Sequence, residues 1–161
     1  IGARESSILT AQGNLAITYE DLGRFEDALR LKRHVYSGRL EIHGEEHEDT
    51  LRAANNYAFS LRDLSRFEEA RSLLRRTVPV ARRVRGESDA LTLSMRSNYA
   101  RALCYDPTAT LGDLSEAVTT LEEIEQIARR VLGSDHPITT EIVYHLQTLL
   151  RAREAPSPRG S

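Results

Sequence analysis

The chain has 161 residues, 40% hydrophobic and 29% charged, which suits one folded domain and argues against a disordered chain. A net charge of −2 is too neutral for a general nucleic-acid binder, and no apolar run approaches the ~18 residues that cross a bilayer. The single cysteine, Cys104, excludes an internal disulfide and fits a reducing, cytoplasmic setting.

The opening IGARESS carries neither a methionine nor an apolar leader, which reads as a fragment or a processed chain. Helical periodicity follows. Ile8, Leu15, Ala16, Tyr19 and Leu22 share one face of a first helix over about 5–22, ended by Gly23. Phe25, Ala28, Leu29, Leu31, Val35 and Leu40 give a second helix over about 25–42, closed by Gly44. The short Leu-Gly-Arg link between them predicts an antiparallel hairpin.

The plan then recurs. NLAITYEDLGRFEDA (Asn14 to Ala28) returns as NYAFSLRDLSRFEEA (Asn56 to Ala70), 42 positions later, and Gly86 follows Gly44 by the same 42. A fixed period of this length marks stacked repeats. The second hairpin pairs helices over about 48–64 and 67–85; the third pairs one from Leu91 to about Cys104 with one carrying Leu114, Ala117, Leu121, Ile124 and Val131. Ala70 to Ala117 is 47 positions, so five residues are added, most simply Asp106 to Thr110 in the third turn. A lone last helix over about 136–153 carries Ile142, Leu146 and Leu149. It either caps the stack or belongs to a longer array.

These units divide the chain into a domain over 5–153, with repeats at about 5–46, 47–88 and 89–135, the lone helix at 136–153, and a disordered tail at 154–161. Pro79 inside the fourth helix predicts a kink between Arg75 and Pro79, since proline removes a backbone donor and costs ~3 kcal/mol. Ser37 and Gly38 make the second helix weak at the same height. Tyr19, Phe25, Phe67 and Tyr99 are spaced as core, and a buried Phe67 predicts a loss of ~3–5 kcal/mol on Phe67→Ala.

These strings, together with LGSDHPITTEIVYHL near the end, resemble the tetratricopeptide repeat, in its long 42-residue form as in kinesin light chains. The Gly133-Ser134-Asp135-His136-Pro137 link fits that pattern closely. Ser65 departs from it, standing where glycine is usual, and so does the insertion in the third repeat. The resemblance implies an all-α, right-handed α-solenoid of three helix-turn-helix repeats plus one extra C-terminal helix. It further implies that the first helix of each pair lines a concave groove.

On that implication one residue per repeat faces the groove: Asn14, Asn56, Asn98 and His145. An amide both donates and accepts, so such a ladder suits the backbone of an extended peptide. Arg52, Asn55, Arg62, Arg101 and Tyr105 are the further groove candidates, with Tyr144 and Arg151 nearby. The alternative is that the amides cap turns or bond between adjacent helices. The arginines suit an acidic or C-terminal peptide, or else pair with glutamates on the next helix. Gly13, Ile17 and Ser94 occupy places where the family's carboxylate clamp needs basic and amide residues, so that clamp is not expected.

No metal or other cofactor is expected. His43 and His47 are four apart, but Gly44 interrupts the helix that would align them. Cys104 lacks a recognisable base partner, and no phosphate loop or hydrolase motif occurs. The expected function is therefore a non-catalytic scaffold that holds a protein or peptide partner, acidic where the arginines are free to pair with it, with no nucleic acid and no membrane insertion. The alternative is an assembly module that self-associates or docks onto other domains of a larger protein.

Overall fold

The computed structural model describes residues 2–154. Seven helices follow in order: α1 (Gly2–Asp21), α2 (Phe25–His43), α3 (Glu48–Asp63), α4 (Phe67–Arg85), α5 (Ala90–Cys104), α6 (Leu111–Val131) and α7 (Pro137–Glu154). Among the described residues there is no strand. The expected helices are all present, with ends shifted by a few residues. Glu154, assigned above to the tail, ends α7, and the rest of that tail lies outside the described residues.

Each helix packs on the next, giving an α-solenoid of antiparallel pairs. The first helices α3 and α5 also approach each other, as do α5 and α7. No Cα of α1 comes within 8 Å of one in α3. Leu51, Leu61 and Leu74 are fully buried across the first two joints; Leu103, Leu121, Ile124 and Ile142 fill the last two. Each such side chain contributes about 1.5–3 kcal/mol of apolar burial.

The turns repeat with the period. Gly23 has φ 73°, and the Arg24 and Gly23 amides bond back to Tyr19 O (2.7 Å) and Glu20 O (2.9 Å), a glycine-type helix stop. Ser65 takes the same left-handed form at φ 60°, with Arg66 N to Leu61 O and Ser65 N to Arg62 O both at 2.8 Å. The departure from glycine therefore leaves the turn unchanged in shape. The helix starts repeat as well. The His47 ring accepts from Asp49 N (3.1 Å), the Asp89 carboxylate from Leu91 N (3.0 Å), and the His136 ring from Ile138 N (3.2 Å). These residues satisfy amides that a helix start leaves unpaired.

The five-residue insertion forms the α5–α6 turn. Asp106 accepts from the Thr108 amide (2.9 Å), Arg71 of α4 pairs with Asp106 (3.1 Å), and Thr110 with Asp113 makes a capping box that starts α6.

Several expectations about the core are corrected. Ile8, Leu15 and Leu22 are exposed, and Leu9 and Ala16 are the buried residues of α1. Phe25 is 52% exposed and Leu40 is also exposed, while Tyr19, Phe67 and Tyr99 are only half-buried. The cause is position in the stack. Among the described residues α2 is the only helix whose backbone packs against α1, with α3 reaching it through Ser60 Oγ to Glu20 Oε1 (2.8 Å), so only one stripe of α1 is covered. Gly38 has a packing role: a Cβ there would stand 2.7 Å from Leu9 Cδ2, so its missing side chain lets α1 and α2 close up. α4 continues as one helix through Pro79.

Candidate functional site

On the α3–α5 seam four side chains form a continuous polar chain. Arg62 Nη1 donates to Asn98 Oδ1 (2.6 Å), Asn98 Nδ2 donates to Asn55 Oδ1 (2.7 Å), and Asn55 Nδ2 donates to Ser94 Oγ (3.1 Å). Arg62 also pairs with Asp63 (2.8 Å) and lies over the Phe59 ring (4.5 Å). Asn98 is 5% exposed. Three sequence-assigned groove residues, Asn55, Arg62 and Asn98, thus spend their polar atoms joining α3 to α5. Buried polar groups without partners are costly, which explains why the amides find each other.

The α5–α7 end repeats this theme. Arg101 pairs with Glu141, and the Tyr105 hydroxyl meets His145 Nδ1 at 2.6 Å. His145 is 7% exposed. Burial first, then Arg101 and Arg62, lower its pKa to about 4, so the ring is neutral and Nδ1 accepts from the Tyr105 O–H. Burial and Arg62 likewise lower Arg101, whose Nε is buried without a hydrogen bond among the described residues. Arg62 and Arg101 thus set a positive local field. Tyr105 and Tyr144 keep exposed rings beside it.

The α1–α3 joint differs. A hollow of about 340 Å³ lies between the two helices, with α2 as its floor. Asn14 and Asn56 line it and are exposed; Arg52 lines it too and pairs with Glu48 of its own helix. Of the proposed ladder, then, Asn14 and Asn56 stand free on the surface, whereas Asn98 and His145 are built into the fold.

Lys32 and Arg39 close the two ends of the hollow, and sequence reasoning missed both. Lys32 Nζ donates to Glu20 Oε1 (2.5 Å) and Ser60 Oγ (2.8 Å), linking α2 to α1 and α3. Arg39 donates to Thr10 Oγ1 (2.7 Å) and Ser6, and lies 3.5 Å from Asp49. Aligning the second helices at the repeat period places Lys32 against Leu74 and Arg39 against Ala81, both fully buried. A cation at a core position was the signal available.

Elsewhere the chemistry is quiet. Cys104 Sγ donates to Arg101 O (3.6 Å), and burial raises the thiol to about 11, so it stays protonated at neutral pH. The His43 and His47 rings stack at 4.3 Å, with His47 committed to its cap.

A tetratricopeptide repeat family model matches residues 7–77 and 49–106, and a second tetratricopeptide repeat model matches residues 108–138. Among solved structures, that of Podosopora anserina kinesin light chain nearly identical TPR-like repeats is similar with TM-score 0.79 at 24% identity, covering 92% of this chain and 68% of that one. BtubC (BKLC) from P. vanneervenii is similar with TM-score 0.53 at 19% identity, covering 95% of this chain and 68% of the other. At these identities the likeness is one of fold. No curated protein matches the sequence.

Proposed function

Given that the chain belongs to the tetratricopeptide repeat family, we propose that it is a non-catalytic scaffold that holds an extended segment of a partner protein along its first-helix face. The observation that carries this reading is the pair Asn14 and Asn56. They occupy equivalent places one repeat apart, are exposed, and make no side-chain hydrogen bond among the described residues. Amides so placed offer a donor and an acceptor to each of two peptide units. They sit on helices already held by packing, so little ordering entropy is lost on binding.

A preference for acidic segments belongs to the same proposal. The field of Arg62 and Arg101 that disfavours a proton on His145 favours a carboxylate near Tyr105. Arg52 is paired with Glu48, as Arg62 is with Asp63 and Arg101 with Glu141, so the preference is modest. A cytoplasmic location is part of this reading, from the unpaired Cys104. The test is a peptide array probed with the full chain and with Asn14→Ala, Asn56→Ala and Tyr105→Ala. Hits should weaken at least fivefold on each change, and weaken with salt where they are acidic. Hits indifferent to all three variants overturn the groove.

One observation favours the assembly reading. The α6–α7 face presents a hollow of about 600 Å³ lined by Leu111, Leu114, Val118, Leu149 and Ala152, with Leu111 86% exposed. Contiguous exposed apolar surface marks an association face. Light scattering across concentration decides it: a mass that grows, and stops growing on Leu111→Glu, supports self-association, and a constant monomer mass removes it.

A further inference from the structure

We infer that the hollow between α1 and α3 is a pocket for one uncharged apolar side chain of an extended peptide. This deepens the groove reading and rests on it. The next seam is closed by side chains that the first lacks. Between α3 and α5, Asn55 reaches Ser94 and Asn98. One period earlier those positions are Gly13, Arg52 and Asn56. Gly13 has no side chain to reach across, and nothing lies within 4 Å of where its Cβ would stand. Arg52 is larger than Ser94 and turns along its own helix to Glu48. That stitch is therefore missing at mid-helix, where no Cα of α1 comes within 8 Å of one in α3; a direct link runs at the Lys32 end, where Ser60 Oγ donates to Glu20 Oε1 (2.8 Å).

Collapse of the gap is opposed from both ends. Lys32 holds Glu20 and Ser60 at one end, and Arg39 holds Ser6 and Thr10 at the other. Between these clamps the apolar part of the lining is Leu9, Ile17, Val35 and Ala53, with Asp49 and Arg52 on the α3 side. An apolar cavity of roughly 150 Å³ takes a benzene molecule. A space of about 340 Å³ therefore holds a branched aliphatic or aromatic side chain together with part of its peptide unit.

The charges select against an acid here. Lys32 is paired with Glu20 and Arg39 lies 3.5 Å from Asp49, whose carboxylate also lines the hollow, so an entering carboxylate would lose its water and meet a like charge. An apolar side chain loses nothing and covers the four aliphatic walls. Asn14 on α1 and Asn56 on α3 stand at the rim, placed to bond the flanking peptide N–H and C=O.

The experiment is an NMR titration of the full chain with three capped amino acids: N-acetyl-leucine methylamide, its glycine counterpart, and its ionised glutamate counterpart. The leucine compound should shift the Asn56 side-chain and Ala53 amide signals and saturate in the millimolar range. The glycine and glutamate compounds should bind at least tenfold more weakly. Gly13→Leu fills the space and should weaken the leucine compound at least tenfold; Gly13→Ala leaves most of it open and should change binding less than threefold. Equal binding of the leucine and glycine compounds overturns the pocket, as does a Gly13→Leu titration that matches wild type. The two readings fail separately. Array peptides that respond to Tyr105→Ala but not to Gly13→Leu keep the groove and overturn the pocket. A leucine titration that behaves as described while no array peptide binds keeps the pocket and overturns the groove.

Discussion

Lys32 and Leu74 hold the same place in successive hairpins, yet Leu74 is fully buried in the core while Lys32 Nζ bonds Glu20 Oε1 at 2.5 Å. The Lys32 side chain is only 11% exposed, so the first joint carries an ion pair where the second carries an aliphatic contact. A cation so enclosed stabilises only while its partners remain. The first joint is therefore held by directional bonds at its ends and is open in its middle.

From this, Lys32→Leu alone should destabilise the chain by about 1–2 kcal/mol, because Glu20 loses its counter-charge. Adding Glu20→Gln should recover stability to within about 1 kcal/mol of wild type, since a pair removed together leaves no stranded charge. Urea unfolding of the single and double variants checks both numbers. A double variant less stable than the single would mean the pair is not what Lys32 serves.

His145 makes stability depend on pH. Its folded pKa is about 4 against an ordinary 6.5. Between those values the unfolded chain takes up a proton at this ring and the folded chain does not. Stability contributed by the neutral ring is thus complete above pH 6.5, falls as pH is lowered, and is lost below about pH 4. The loss is on the order of 3 kcal/mol. In His145→Gln, urea midpoints should fall less steeply over that window. An unchanged slope would show that carboxylates alone set the acid limb.

Ser65 adopts φ 60°, a region that costs a residue with a side chain about 1 kcal/mol or more. Ser65→Gly should therefore stabilise by about 0.5–1 kcal/mol, after the extra chain entropy that glycine loses on folding. Thermal melting of the variant measures this. Gly23→Ala at the equivalent turn should move the other way by a similar amount.

The aromatic positions grade by burial. Leu74→Ala, at a fully buried site, should cost about 3 kcal/mol, whereas Phe25→Ala, half exposed on a helix start, should cost under about 1 kcal/mol. Phe67→Ala falls between them, below the 3–5 kcal/mol that full burial would give. A cost for Phe25→Ala equal to that of Leu74→Ala would mean another surface covers α2.

What the sequence determined by itself is what depends on local spacing: the 42-residue period, the helix count, the stop at Gly23, and the loop that takes the insertion; that Ser65 copies the Gly23 turn came from the structure. Each is set by periodicity and by residues within one turn of each other. Asn14, Asn56, Asn98 and His145 were singled out by the resemblance to the repeat family, with the period placing one in each repeat. Tertiary structure alone decided which of them stay free. Asn98 meets bonding partners on the preceding first helix and His145 meets Tyr105 just past the end of α5, whereas Asn14 and Asn56 face a gap. That difference comes from Gly13, Arg52, Lys32 and Arg39 acting together across three helices. Exposure is fixed by which neighbour arrives to cover a face, so α1, with only the backbone of α2 packed against it among the described residues, buries Leu9 and leaves Ile8 and Leu15 in water.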